Sequence, residues 1–134
     1  MRISFIGAGR LASQLAIALA QNHTIGHIYS RDLSKAQRLA AQVQAVATNA
    51  YTDLQAACDL IVIAVSDRAI ADVIAAVHAH APETLMVHTS GSMPLPSKKC
   101  KLPSGLSRAS GAIPEFFSGY CVRLLNNCGF ASNF

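Results

Sequence analysis

The residues best suited to chemistry near the start of the chain are Gly7-Ala8-Gly9-Arg10-Leu11-Ala12. They match the pattern GxGxxG in its variant ending in alanine. Each position has a physical role. Gly7 permits a sharp turn, Gly9 lets a pyrophosphate approach the backbone because no Cβ intervenes, and Ala12 is small enough for a helix to pack on a strand. The free N–H groups and positive end of a helix starting here would hold the anion. Ala8, Arg10 and Leu11 complete the loop. Arg10 is read first as a solvent-exposed side chain, and second as one lying over adenine or phosphate.

A second set lies at Tyr29-Ser30-Arg31-Asp32. Dinucleotide-binding domains that take NAD or FAD usually place an acid on the ribose hydroxyls at this point. Serine can instead donate a hydrogen bond to a 2′-phosphate, and arginine can form a charge-assisted pair and stack on adenine. NADP is therefore the expected cofactor. Asp32 is the competing feature, since a shift of one residue would bring an acid to the ribose. Its other role, and the preferred one, is to cap the helix that begins just there. Lys35, one turn on, is either an exposed lysine or an addition to the phosphate site.

Two further loops carry polar groups. Val65-Ser66-Asp67-Arg68 and His88-Thr89-Ser90-Gly91-Ser92 each follow an apolar run. Ligands of open α/β sheets bind outside the carboxyl ends of the strands, so both loops are expected to border the nicotinamide half of a cofactor. Ser66 and Asp67 are also natural helix caps, and Thr89 to Ser92 is also ordinary turn composition. His88 is a proton donor in one reading and a hydrogen-bonded strand histidine in the other. Paired carboxylates, a metal-ligand cluster and a nucleophile with a positioned base are not recognisable. The catalytic residues are therefore unknown, and any hydride chemistry would be the cofactor's.

These loops require particular elements to hold them. Ile3 to Ile6 reads as a strand, and Leu11, Leu15 and Leu19 recur at helical spacing up to Asn22-His23. Ile25 to Ser30 reads as a second strand with Gly26 as its weak point, and Ala36, Leu39, Ala40 and Val43 form one helical face. A short third strand is predicted near Ala45 to Ala47, then a brief helix from Thr52 to Ala57. Leu60 to Val65 is continuously apolar, the mark of a parallel strand covered on both faces. Ile70, Val73, Ile74 and Val77 predict a helix ending before Ala81-Pro82, and Leu85 to His88 a fifth strand. Strands alternating with helices give an α/β fold with a doubly wound parallel sheet in the order 3-2-1-4-5.

Composition narrows the class. Of 134 residues, 51% are hydrophobic and 13% charged, which suits a folded core and excludes a disordered chain. No apolar run reaches the roughly 20 residues of a membrane span, and Met1-Arg2 leads directly into the first strand with no signal-peptide pattern. A cytoplasmic location without membrane attachment is expected. Cys58, Cys100, Cys121 and Cys128 lack zinc-type spacing and read as ordinary thiols. The net charge of +4 comes from Lys98, Lys99, Lys101, Arg108 and Arg123 against Glu115, while residues 1–93 are balanced. No basic face interleaved with aromatics appears, so nucleic acid is not an expected partner.

Taken together, Ile6 to Ala12, Tyr29 to Asp32, Ala64 to Asp67 and His88 to Ser92 resemble the Rossmann-like N-terminal domain of proteins that carry an uncharacterised all-helical C-terminal domain. Those proteins are relatives of deazaflavin-dependent NADP oxidoreductases and pyrroline-5-carboxylate reductases. The resemblance covers residues 1–95. It implies NADP binding at Gly7, Gly9, Arg10, Leu11, Ser30 and Arg31, with Ser66 and Thr89 to Ser92 near nicotinamide. It also implies a homodimer where the helical domain is present, since that domain dimerises and completes the site for a small substrate.

After Leu95 the pattern departs. Prolines recur without period through Pro96, Pro103 and Pro114, and only Phe116-Phe117 and Val122 to Leu125 look able to pack, with a short helix or strand near Tyr120 to Leu125. Residues 96–134 are therefore expected to be an irregular, truncated or frame-shifted tail. The leading expectation is the NADP-binding half of an oxidoreductase that transfers hydride between nicotinamide and a small substrate, not expected to turn over without its helical domain. The alternatives are a non-catalytic nucleotide-binding sensor or regulatory module, and an S-adenosylmethionine-dependent methyltransferase, against which Ser30 and Arg31 speak.

Overall fold

The computed structural model describes residues 1–55, 58–81, 84–90 and 123–125. Its elements run β1 (Arg2–Ile6), α1 (Arg10–Leu19), β2 (Thr24–Tyr29), α2 (Leu33–Val43), β3 (Val46–Thr48), a 3-10 helix (Tyr51–Gln55), β4 (Leu60–Ile63), α3 (Asp67–His80), β5 (Leu85–His88) and β6 (Arg123–Leu125). They build one sheet in the order β3-β2-β1-β4-β5-β6. The first five strands are parallel, in the predicted order 3-2-1-4-5. β6 extends the sheet antiparallel to β5, with Leu124 opposite Val87. Apart from β6, the predicted tail lies outside the described residues.

Side-chain alternation divides the core between two faces. Ile3, Phe5, Leu60, Val62 and Val87 meet Leu15 and Ala16 of α1 and Leu39 and Ala40 of α2 on one face. Ile6, Ile61, Ile63 and Met86 meet Leu54, Ile70, Val73 and Val77 on the other. The whole of Leu60–Ile63 is buried, which explains its unbroken apolarity. Each fully buried side chain of this size contributes roughly 1.5–3 kcal/mol relative to exposure.

Several boundaries differ from the sequence expectation. β3 begins one residue later than expected, and β4 ends at Ile63, although the Ala64 N–H still donates to the Ile6 carbonyl at 2.8 Å. The brief helix after β3 is a 3-10 turn starting at Tyr51, and the expected residues Ala56 and Ala57 lie outside the described residues. Within β2, Ile25 pairs with Ile3 but Ile28 pairs with Phe5, so Gly26 and His27 together oppose Ser4. This is a β-bulge, and the Ser4 hydroxyl accepts the His27 N–H at 3.3 Å.

Candidate functional site

The carboxyl ends of β2, β1, β4 and β5 stand side by side along one edge of the sheet, a span of roughly 14 Å at about 4.8 Å per strand. Gly7 leaves β1 with φ of +112°, a conformation open to glycine but strained for other residues. Its N–H donates to the Tyr29 carbonyl at 2.8 Å, joining the loop to the end of β2. A Cβ at Gly7 would collide with the Ala64 carbonyl and lie 3.4 Å from Val65 Cγ1. The turn glycine thus also sets how closely the loop after β4 approaches.

Gly9 differs. It is extended, at φ −80° and ψ −174°, so conformation does not demand glycine. A Cβ there would meet nothing within 4 Å, which leaves bare backbone facing open space at the start of α1. No side chain caps α1, and its first turn contains no acid. Ala12 is fully buried against the sheet, as its size requires, while Arg10 is exposed and Ala8 and Leu11 are half-buried. The positive end of the helix is therefore open to an anion.

At the end of β2, the Ser30 N–H donates to the Thr48 carbonyl at 3.1 Å, and the Ser30 hydroxyl accepts the Asp32 N–H at 3.3 Å. Arg31 is exposed. Asp32 caps α2: its carboxylate accepts from the Ser34 N–H at 3.1 Å and the Ser34 hydroxyl at 2.6 Å, and stands 4.0 Å from Lys35 Nζ. The Ser34 hydroxyl, more than any other group, holds the Asp32 carboxyl below its usual range. Of the two roles open to Asp32, the structure shows the cap, and Lys35 is paired with it.

Val65 is half-buried beside Gly7. Ser66 is exposed at the N-cap of α3 but its side chain makes no capping bond, contrary to what its residue type suggests. The Thr89 N–H donates to the Ile63 carbonyl at 3.2 Å, carrying the ladder one residue beyond β5, and Ser90 is buried. His88 is wholly enclosed. Gly91 and Ser92 lie outside the described residues.

One residue of this edge has no signal in the sequence. Tyr51 opens the 3-10 helix and stacks on Tyr29, with ring centroids 4.2 Å apart and planes 18° from parallel. Burial first, and then a hydrogen bond with the Tyr29 hydroxyl, push its phenol up to about 12, against an opposing pull from the nearby Arg31 charge. Tyr29 and Tyr51 are far apart in sequence, and only the pairing of β2 with β3 brings them together.

The model of a family described as NADP oxidoreductase, coenzyme F420-dependent, matches residues 2–90. Among solved structures, a provisionally assigned NADP oxidoreductase from Bacteroides fragilis is 35% identical, with a TM-score of 0.66 over 70% of this chain and 37% of its own. A Thermotoga maritima protein is 28% identical, with a TM-score of 0.54 over 68% of this chain and 34% of its own. A myo-inositol dehydrogenase from Corynebacterium glutamicum is 31% identical, with a TM-score of 0.52 over 61% and 26%. The chain thus spans about a third of the length of these solved relatives. No curated protein matches it significantly.

Proposed function

Because the chain belongs to the family of coenzyme F420-dependent NADP oxidoreductases, we propose that residues 1–95 bind NADP in preference to NAD and present its nicotinamide to a small substrate. The oxidoreductase-type nucleotide-binding fold is shown by the family match and the sheet; the choice of cofactor is our inference. One observation carries it. The acid nearest the ribose position, Asp32, is occupied in capping α2, which leaves Ser30 and the exposed Arg31 at the end of β2.

The bare backbone at Gly9 fits a pyrophosphate, because its open side has room where a side chain would stand. In this reading Gly7, Ala8, Gly9, Arg10 and Leu11 hold the diphosphate, and Ser30 and Arg31 hold the 2′-phosphate. Val65, Ser66, Thr89, Ser90 and Gly91 border the nicotinamide half. When bound, the cofactor supplies hydride chemistry. The chain's own contribution is to orient it.

Calorimetric titration with NADPH and NADH tests the proposal. NADPH is expected to bind more tightly by tenfold or more, since a charge-assisted contact is worth roughly 1.5–3 kcal/mol. Arg31→Asp is expected to reverse that order. Equal affinity of the unaltered chain for both nucleotides would exclude the assignment.

A further inference from the structure

The turn that carries Ser30 and Arg31 does not stand alone. The Ser30 N–H is tied to the Thr48 carbonyl at 3.1 Å, and the Thr48 hydroxyl turns back to accept the Ala50 N–H at 3.0 Å and bonds to Asp53. Those two bonds fix where the 3-10 helix starts, which places Tyr51 flat against Tyr29. Tyr29 in turn is the last residue of β2, and its carbonyl receives the Gly7 N–H of the phosphate loop. A closed circuit therefore runs from the phosphate loop through Tyr29 and Tyr51 to the backbone of Ser30.

We propose that Tyr51, stacked on Tyr29 at the root of the Ser30-Arg31 turn, is a positioning residue that fixes this turn for a 2′-phosphate and so sets selectivity between the two nicotinamide cofactors. The inference rests on the NADP reading above. Arg31 follows Ser30 directly, so the bond that holds the Ser30 backbone to Thr48 also sets where the Arg31 side chain begins. Aromatic stacking is directional as well as apolar, so it fixes a ring in angle and offset where an aliphatic contact would let it slide. With the ring gone, Arg31 keeps its charge, but the segment that carries Thr48 and holds the Ser30 backbone loses the stack that braces it against β2.

The test compares 2′,5′-ADP with 5′-ADP by calorimetry on the full chain, which reads the 2′-phosphate contact without any turnover. Tyr51→Ala is expected to lower the preference for 2′,5′-ADP by roughly tenfold, the scale of one charge-assisted contact, while 5′-ADP affinity changes little. Tyr51→Phe keeps the stack and is expected to keep the preference. An unchanged preference in Tyr51→Ala would overturn the inference. So would an equal loss for both nucleotides, which would make Tyr51 a wall of the adenine site. Should circular dichroism show the alanine variant unfolded, Tyr51→Leu fills the space without stacking and carries the same outcomes. The NADP reading fails on a separate arm: an unaltered chain without preference, or Arg31→Ala retaining it, overturns that reading and this inference with it.

Discussion

Gly7 and Gly9 are glycines for different reasons, and the difference predicts different outcomes. At Gly7 both the positive φ and the Ala64 carbonyl oppose a side chain. Gly7→Ala is therefore expected to destabilise the fold by about 2–3 kcal/mol, read as a lower midpoint in urea with an unchanged slope. At Gly9 neither obstacle exists, so a side chain there would intrude only on a ligand. The turn at Gly7 and the tight packing of Ala12 are legible in the sequence because both depend on residue type at fixed spacing along the chain. The capping role of Asp32 is legible for the same reason, since a cap bonds residues two positions away. Tyr51 is not, because its significance arises from a partner on another strand. Ser66 shows the reverse limit: its type suits a cap, yet its side chain makes no capping bond.

Among the elements, those with a clear period are read well. α2 buries Ala36, Leu39, Ala40 and Val43 as its spacing predicts, and Leu60–Ile63 is buried throughout. The short pieces are read less well, because three residues of β3 hold too little pattern to fix an end. β2 is instructive. Ile25 and Ile28 are three residues apart and would face opposite ways in a regular strand, yet both join the core beneath α1 and α2. The bulge at Gly26 and His27 restores the alternation. Gly26, a weak point in the sequence, is the extra residue that makes this work. Deleting Gly26 would then leave Ile25, His27, Ile28 and Tyr29 on their present faces, with His27 opposite Ser4. The deletion variant is expected to fold and to retain its far-ultraviolet dichroism, whereas deleting Ile28 moves Tyr29 to the wrong face and is expected to abolish folding.

At the scale of the whole molecule, the described residues form a sheet covered on both faces, and no helix among them is long and apolar enough to cross a membrane. Global stability should depend on pH through His27, which is buried at the bulge with no hydrogen-bond partner for Nδ1. Burial foremost, then Arg2, lowers its pKa below the ordinary 6.5, with Asp53 opposing. The unfolded chain thus binds this proton more readily than the folded one. The associated stability is present above pH 6.5 and is lost as pH falls through the lower folded value. Urea midpoints measured from pH 8 to 5 are expected to fall, and to fall less in His27→Leu; the same slope in both chains would rule this out. The stacked tyrosines have a further consequence, an optical one. The sequence has no tryptophan and three tyrosines, and two of the three form this ring pair in van der Waals contact, so the pair is expected to contribute strongly to the near-ultraviolet dichroism. The protein carries its own chromophore at the edge of the sheet where we propose the nucleotide binds, and needs no added label to report what happens there.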